Sequence, residues 1–177
     1  MSFIFRHLYY FLQTFRKYNI NTPLRIAHFL AQITHETGNF RWLTELGGKS
    51  YFKKYDIQFN PKKAKELGNL QKGDGYKFKA RGFIHLTGRA NYQKYKEYSG
   101  IDVINNPALA ARIDIALDIA GWYWQNNNIN TYSDIDDVVT VTKKVNGGTN
   151  QLSERKAYLD YYKLQKLSLP FLETKVV

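Results

Sequence analysis

Apolar side chains recur every three or four residues in several stretches of the chain, which is the pattern of helices that bury one face. Thr22 precedes Pro23 at the start of the clearest stretch, and these residues suit an N-cap and a first helical position. Gly38 suits a left-handed C-terminal cap, so the pattern predicts a helix that begins at Pro23 and ends before Gly38. The apolar residues of this stretch are Leu24, Ala27, Phe29, Leu30, Ala31 and Ile33.

The rest of the pattern predicts more helices and little β structure. Residues 76–87 alternate in polarity at their start, which favours a short extended segment or a small β-hairpin. The sequence has no internal repeat and no interdomain linker, so we expect a mainly α fold with residues 1–177 in a single domain. The other predicted helical segments are about Phe3–Tyr18, Pro61–Leu67, Thr87–Tyr98 with Thr87 as its cap, a region from Asn106, Asp114–Gln125 in the core, Ser133–Val145, and Leu152–Leu167 followed by Pro170.

Composition and charge narrow the classes of function. The 177 residues include 26 Lys and Arg against 15 Asp and Glu, a net charge of +11, and no cysteine. Disulfide and thiolate chemistry are therefore excluded, whereas nucleic acid, an anionic membrane or an anionic cell wall is a favoured partner. No uncharged run approaches the roughly 20 residues of a membrane span. Arg6 and His7 interrupt the apolar N-terminus, so we interpret it as a helix and not as a signal peptide.

Glu36 and Glu45 are the two carboxylates that could carry acid–base chemistry. Glu36 falls in the last turn of the predicted helix, where the helix dipole disfavours a negative charge. A protonated carboxylic acid at that place would serve as a general acid. Glu45 follows in an irregular loop over Asn39–Asp56, and such a loop can place two carboxylates about 6.5–9.5 Å apart, as an inverting glycosidase requires. The alternative is that both are solvated surface charges.

His35 stands beside Glu36, which raises the question of a metal site. The local sequence is HETGN, and it lacks the HExxH pattern of zinc proteases. We therefore expect neither a metal nor a cofactor. His35 is expected to orient a carboxylate or to pack in the core.

Further polar residues could line a binding site. His85, Thr87 and Asn91 follow an Arg-Gly pair and would project neutral groups that can bind sugar hydroxyls, acetamides or a water. The alternative is a strand that runs into a capped helix. Asn146 precedes two glycines and could line a cleft or simply end a helix. Arg155 could anchor a carboxylate or lie in solvent.

Taken together, these segments resemble glycoside hydrolase family 19, especially its compact phage-endolysin and bacterial chitinase-like branch. The resemblance covers about Asn21–Tyr162, and its long central motif and Asn-Gly-Gly motif make it specific. The matching segments, in the family's order, are FLAQITHETGNF, ELGGKSYFKKYD, GDGYKFKARGFIHLTGRANYQKY, NNPALA, ALDIAGWYW and VTKKVNGGTNQLSERKAYL.

The resemblance implies a lysozyme-like, two-lobed α-helical fold with a central cleft. It also implies inverting cleavage of β-1,4 bonds next to N-acetylglucosamine-type sugars. By match to the family's motifs, Glu36 would be the general acid, and Glu45 would be the base that activates a water held by Thr87. The resemblance also implies that Asn91 and Asn146 bind sugar and that Arg155 stabilises the charges around the carboxylates. His35 would contact the residues that hold the carboxylates and not the substrate itself.

The chain departs from the family's pattern in three places. Plant members have a longer segment between their carboxylates, so Glu45 is assigned by analogy with the compact members. The family usually has Gln at the position of His85 and Gly at the position of Ala80. Tyr76 and Trp42 are aromatic residues that could stack on sugars or pack in the core.

Two substrates share the β-1,4 amino-sugar backbone, namely chitin and peptidoglycan, and peptidoglycan is the anionic one. The net charge of +11 and the small size favour a peptidoglycan-degrading endolysin. We expect a monomer that is made in the cytoplasm and acts on the cell wall after release. A chitinase is the alternative. More distant alternatives are a non-catalytic sugar-binding protein and a basic nucleic-acid-binding protein.

Overall fold

The computed structural model describes residues 2–165, and most of them are helical. They fall into two compact units. The terminal unit is the described part of Met1–Arg41 and Ala120–Val177, and the middle unit is Trp42–Ile119. The helices are α1 (Ser2–Arg6), α2 (Leu8–Lys17), α3 (Pro23–Glu36), α4 (Pro61–Glu66), α5 (Asp74–Lys77), α6 (Arg89–Ser99), α7 (Ile113–Asn126), α8 (Ile129–Asp134), α9 (Val138–Asn146) and α10 (Leu152–Leu164), with 3₁₀ turns at Tyr51–Tyr55 and Pro107–Ala111.

Helix α3 lies at the centre of the terminal unit, where it packs against α8, α9 and α10. Thr22 Oγ1 accepts a hydrogen bond from the Arg25 backbone N–H at 3.2 Å, and Pro23 occupies the first turn, so the predicted helix start is confirmed. The helix ends at Glu36, since the chain leaves helical geometry after Thr37 and Gly38 takes a left-handed φ of +56°. The end of α3 that carries Glu36 is thereby fixed by a cap and a turn.

An aromatic core lies beside α3. The ring of Phe29 makes edge contacts with Phe15 and Trp124, with ring centroids 5.8 Å and 5.2 Å apart. Trp124 belongs to α7, and Leu117 and Trp124 are both fully buried, which confirms the predicted core helix. The boundary between the two units falls within α7, after Ile119.

A short backbone-paired loop follows α5 in the middle unit. The Arg81 N–H donates to the Leu86 carbonyl oxygen at 3.1 Å, and the Leu86 N–H donates back at 2.8 Å. Gly82 turns the chain between them with a φ of +78°, and a Cβ there would lie 2.9 Å from the Ala110 carbonyl oxygen. Within residues 76–87 the predicted hairpin is reduced to this one antiparallel pairing, and Tyr76 lies in α5 instead.

The predicted helix starts at Thr87 and Ser133 are wrong. In both places the helix begins at a different residue, because a neighbour sets the start. Thr87 precedes Gly88, whose φ of +88° makes Gly88 the residue before α6. Ser133 lies inside α8. Asp137 caps α9 by accepting a hydrogen bond from the Thr140 N–H at 2.9 Å.

The first and last helices differ from the prediction in their bounds. The predicted first helix is divided at His7, whose φ of −115° and ψ of 19° separate α1 from α2. The last helix begins at Leu152 as predicted and ends at Leu164. The predicted end at Leu167, and Pro170 after it, lie outside the described residues. Within residues 2–165, no helix has both the length and the apolar character needed to cross a membrane.

Candidate active site

Glu36, at the end of α3, is held by a buried arginine from α10. Arg155 Nη2 donates to Glu36 Oε1 at 2.5 Å, and Arg155 Nη1 donates to Gln32 Oε1 at 2.5 Å. The side chains of Arg155 and Glu36 are 1% and 14% exposed. Since a guanidinium does not lose its proton in proteins, it keeps a positive charge beside this carboxylate. The alternative that Arg155 lies in solvent is therefore wrong, and the structure brings these two predicted site residues together.

His35, at the end of α3, contacts two residues at the start of α10. Its Nε2 lies 2.9 Å from Gln151 Oε1, and its Nδ1 lies 3.3 Å from Glu154 Oε2. Gln151 is the residue before α10, and Glu154 lies in its first turn, immediately before Arg155. His35 therefore fixes the position of the turn that carries the arginine.

Two neighbours of Glu36 were not singled out in the sequence. Gln32 is a fully buried polar residue on α3, and its Nε2 donates to Thr142 Oγ1 at 3.2 Å. The Tyr123 hydroxyl donates to the Lys144 carbonyl oxygen at 2.8 Å. Burial raises the pKa of Tyr123, and the negative charge of Glu36 raises it further. Gln32 carried a detectable signal, because it is a lone amide among apolar residues one helical turn before Glu36.

Glu45 is fixed by the segment that contains Ala80. The Glu45 backbone N–H donates to the Ala80 carbonyl oxygen at 2.9 Å, and Glu45 Oε2 accepts from the Ala80 N–H at 3.3 Å. Tyr55 Oη donates to Glu45 Oε1 at 3.4 Å, and Lys54 Nζ lies 3.6 Å from the same oxygen. The Glu45 side chain is 18% exposed, so this carboxylate is oriented by its neighbours and still reaches solvent.

The 3₁₀ turn Tyr51–Tyr55 supplies the polar partners of Glu45. Lys54 Nζ lies 3.5 Å from the centre of the Tyr51 ring and 4.7 Å from the centre of the Tyr55 ring. Burial raises the pKa of Tyr55, and the charge of Glu45 adds to this effect. Tyr55 therefore stays protonated and donates to the carboxylate. Neither Lys54 nor Tyr55 was predicted as a site residue, because nothing in the local pattern separates them from other Lys and Tyr residues of the chain.

His85, Thr87 and Asn91 form a connected series in the middle unit. His85 has a left-handed φ of +52°, and its Nε2 lies 3.3 Å from the Trp42 carbonyl oxygen. The Thr87 hydroxyl donates to the His85 carbonyl oxygen at 2.7 Å, and Asn91 Nδ2 donates to the Thr87 carbonyl oxygen at 2.9 Å. Because the Thr87 hydroxyl proton is used in this bond, its oxygen is oriented to accept a hydrogen bond from a water or a sugar.

Asn146 and Tyr76 have exposed side chains. Asn146 ends α9, and Gly147 follows it with a left-handed φ of +79°. The Tyr76 ring lies 5.6 Å from the Phe52 ring in an edge contact. The predicted site residues occur in both units: His35, Glu36, Asn146 and Arg155 in the terminal unit, and Glu45, Tyr76, His85, Thr87 and Asn91 in the middle unit.

The side chains around these residues indicate carboxyl chemistry. Over residues 2–165, no group of three or more His, Asp or Glu side chains is placed to hold a metal ion. Each of the two glutamates is instead partly buried and contacts a cationic side chain and hydrogen-bond donors. Glycoside hydrolases transfer protons with paired Asp or Glu residues, and two glutamates held in this way are compatible with that class of enzyme.

Comparison with known proteins identifies the family. The model of glycoside hydrolase family 19, described as chitinase class I, matches residues 16–155. The chain therefore belongs to glycoside hydrolase family 19, and the prediction of a glycosidase of this family is confirmed.

Relatives and solved structures agree with this assignment. A glycosyl hydrolase family 19 domain-containing protein of Haemophilus influenzae is 32% identical in an alignment of 151 positions that covers 73% of this chain and 74% of the relative. An endochitinase of Arabidopsis thaliana is 29% identical over 77% of this chain. The crystal structure of a class IV chitinase from Zea mays matches 88% of this chain and 79% of that chain with a TM-score of 0.64 at 21% identity.

The extent of these matches differs between relatives. This chain spans 44% of the length of the Arabidopsis endochitinase. The likeness to the Zea mays structure shows the same fold, and the predicted mainly α, lysozyme-like fold is confirmed. The roles of the individual site residues stay predictions.

Proposed function

We propose that this protein is an inverting glycosidase that hydrolyses β-1,4 bonds beside N-acetylated amino sugars, and that its substrate is peptidoglycan. The observation that carries the proposal is the ion pair between Arg155 and Glu36. In the proposed reaction Glu36 binds a proton in the enzyme–substrate complex, where the bound sugar excludes water, and then gives that proton to the leaving glycosidic oxygen. As Glu36 becomes a carboxylate, the guanidinium 2.5 Å from Oε1 stabilises the negative charge that forms.

Glu45 is the proposed general base. It takes a proton from a water whose oxygen adds to the anomeric carbon while the bond to the leaving oxygen breaks. The Ala80 N–H and the Tyr55 hydroxyl hold the Glu45 carboxylate in one orientation. The Thr87 hydroxyl donates to a backbone oxygen, and it would accept a hydrogen bond from the same water.

The remaining predicted residues would bind the sugar chain. Asn91 and Asn146 offer amide groups for hydroxyls and acetamides, and Tyr76 offers an exposed ring. His85 holds the loop beside Trp42 and would present its ring to the sugar. His35 would act through α10, because its ring contacts Gln151 and Glu154.

The net charge supports peptidoglycan as the substrate. A chain with a charge of +11 is attracted to an anionic polymer, and long-range attraction of this kind raises encounter rates by about 10-fold or more at low salt. Chitin is nearly neutral and offers no comparable attraction. The proposed role is therefore cell-wall lysis by an endolysin-type enzyme.

The test is the release of reducing sugar ends from purified peptidoglycan. We expect the wild-type protein to release them and Glu36→Gln to lose about 10²–10⁴-fold in rate, the range for removal of a general acid. Glu97→Gln is the matched control, because Glu97 is exposed and its Oε1 accepts from the Gln93 side chain one turn earlier on α6, away from the proposed site residues. Unchanged activity in Glu36→Gln would remove Glu36 from the mechanism.

A chitinase is the second candidate, because proteins similar to this chain are named endochitinases and chitinases. Loss of turbidity of outer-membrane-permeabilised cells reports peptidoglycan cleavage, and shortening of soluble chitooligosaccharides reports chitinase activity. If only the chitooligosaccharides are cut, the peptidoglycan proposal fails and the chitinase stands.

A further inference from the structure

A groove in the middle unit carries positive charge that the proposed reaction does not use. It has a volume of about 630 Å³ and lies between the 3₁₀ turn Tyr51–Tyr55 and the segment around α5. This volume is in the range of about 300–1,000 Å³ that is usual for ligand sites. The residues of this lysine groove that matter here are Lys49, Lys53, Asp56, Phe59, Lys72 and Tyr76.

The lysines of the groove are not neutralised by carboxylates. Within residues 2–165, none of Lys49, Lys53 and Lys72 has an ion pair with an Asp or Glu side chain. Lys49 Nζ lies 5.9 Å from the centre of the Tyr76 ring, and Lys53 Nζ lies 4.6 Å from the centre of the Phe59 ring. An aromatic ring attracts a cation but carries no net charge, so the positive charge of these side chains persists.

The one acidic residue among those lining the groove faces inward. Asp56 is 6% exposed. Its Oδ2 accepts from the Gly73 N–H at 2.6 Å, and its Oδ1 accepts from the Gln58 N–H at 3.2 Å. Both carboxylate oxygens of Asp56 therefore bind backbone N–H groups of the segments that form the groove. Between positions 49 and 79 the chain has nine lysines against three acidic residues, so the surface around the groove is strongly positive.

The groove also offers aromatic surface. The side chains of Phe59 and Tyr76 are 57% and 39% exposed. Exposed rings beside lysines suit a ligand that alternates flat apolar sugar faces with negative groups. A simple inorganic anion would use the charge but not the rings, and a neutral glycan would use the rings but not the charge.

The groove adjoins the turn that holds Glu45. In the 3₁₀ turn, Lys54 and Tyr55 contact Glu45, and their neighbours Phe52 and Lys53 line the groove. A polymer chain that is bound at Glu45 would therefore reach the lysines of the groove if it extended across this one turn.

We propose that the lysine groove binds peptidoglycan outside the bond that is cut, with Lys49, Lys53 and Lys72 contacting the carboxylates of the peptide stems and Phe59 and Tyr76 contacting the sugars. This inference rests on the proposed function, because it takes the cleaved polymer to be peptidoglycan. Its effect is to hold the enzyme on its anionic substrate between cleavage events.

The test compares two triple variants that lose the same charge. Lys49→Gln/Lys53→Gln/Lys72→Gln changes the groove, and Lys94→Gln/Lys143→Gln/Lys156→Gln removes three exposed lysines outside positions 49–79. Affinity is measured by cosedimentation with purified sacculi and with sacculi whose peptide carboxylates were converted to amides by a carbodiimide and ammonia. Affinity for a single-stranded DNA oligonucleotide is measured by fluorescence anisotropy. All six lysines are exposed, and thermal unfolding checks that both variants fold; single substitutions at Lys49 and Lys53 replace the triple if it does not.

We expect the groove variant to lose about 10-fold in affinity for intact sacculi at about 0.1 M salt and the control variant to lose less than about 3-fold, since surface charges at this ionic strength act mainly within a Debye length of about 10 Å. On amidated sacculi, which keep the mesh and lose the peptide carboxylates, the difference between the two variants should vanish. Equal losses in both variants, or the same wild-type affinity for amidated and intact sacculi, would overturn the proposal. Loss of DNA binding in the groove variant with retained sacculus binding would also overturn it, in favour of a nucleic acid.

Failure of this inference and failure of the proposed function are separable. Release of reducing ends from peptidoglycan by the wild-type protein reports the reaction alone. Cosedimentation of the variants reports the groove alone. An active enzyme with two equally weakened variants would retain the proposed function and reject the groove.

Discussion

Substitution of Arg155 by methionine is the perturbation whose outcome the structure defines most sharply. Methionine removes the charge but keeps an apolar stem of similar length. Glu36 and Gln32 would each lose a hydrogen bond of 2.5 Å. Because Arg155 is 1% exposed and Glu36 is 14% exposed, little water can replace the guanidinium.

The magnitude follows from the cost of leaving one charge of a buried pair without its partner, which is about 3–5 kcal/mol. Glu36 retains some contact with solvent, so we place the loss in the free energy of unfolding at about 3 kcal/mol. For a chain of this size, each kcal/mol lowers the melting temperature by about 2–4 °C. The expected decrease for Arg155→Met is therefore on the order of 10 °C.

A double-mutant cycle with Glu36→Gln separates the ion pair from the loss of packing. In the Glu36→Gln background no buried carboxylate needs a counter-charge, so Arg155→Met should cost about 1–2 kcal/mol less than it does in the wild type. Thermal and denaturant unfolding measure all four proteins. Arg16→Met is the control, because Arg16 is exposed on α2 and its substitution should change stability by less than about 0.5 kcal/mol. Additive losses in the cycle would refute the reasoning, since they would mean that the pair contributes nothing of its own.

Three further predictions concern the base, the core and pH. Glu45→Gln should lower the rate of peptidoglycan hydrolysis by about 10²–10⁴-fold and leave the melting temperature nearly unchanged; a loss of less than about 3-fold would exclude Glu45 as the base. Gly121→Ala should destabilise the protein by about 1–3 kcal/mol, although the change usually stabilises a helix, because the added Cβ would lie 2.0 Å from Tyr18 Cδ2; a higher melting temperature would contradict the packing of α2 beside α7. The third prediction concerns His28, which is fully buried, and burial lowers its pKa below the ordinary 6.5 despite a hydrogen bond with Asp136. As pH falls below about 6.5, His28 binds a proton in the unfolded chain but stays neutral in the folded protein. The free energy of unfolding should therefore fall by at most about 1.4 kcal/mol per pH unit. His28→Gln should remove this contribution, and identical pH slopes in both proteins between pH 6.5 and 5 would show that His28 does not cause it.

Local sequence signals identified the helices whose ends carry strong caps or whose apolar face is regular. The start of α3 was predicted from the Thr22-Pro23 pair, and its end was predicted from Gly38. The core helix α7 followed from apolar spacing alone. In these places the local preference and the tertiary packing favour the same structure, which is why the pattern was sufficient.

The errors occurred where two local signals competed. Thr87 is a good capping residue in isolation, but Gly88 takes a positive φ that threonine would not adopt easily and so sets the helix start. Ser133 resembles an N-cap in the sequence, yet it is fully buried within α8 and its hydroxyl donates to the Ile129 carbonyl oxygen. A capping motif predicts a helix start only when no neighbouring residue offers a stronger one.

The candidate site was only partly predictable because its contacts join distant parts of the chain. Glu36 and Arg155 are 119 residues apart in sequence, and the pairing of Glu45 with Ala80 spans 35 residues. Residue spacing carries no information on such pairs. The local pattern named Glu36, Glu45 and Arg155 as candidates and the resemblance to a known family gave them roles, whereas Gln32 was missed although it is a lone amide among the apolar residues of α3.

The most direct test of a glycosidase that inverts configuration is the anomeric form of its first product. Soluble glycan strands from peptidoglycan are digested while proton NMR spectra follow the new reducing sugar. Inversion at a β-1,4 bond releases the α-anomer first, and we predict an initial excess of that form, with no signal from Glu36→Gln. An initial excess of the β-anomer, or no new reducing sugar at all, would contradict the proposed mechanism.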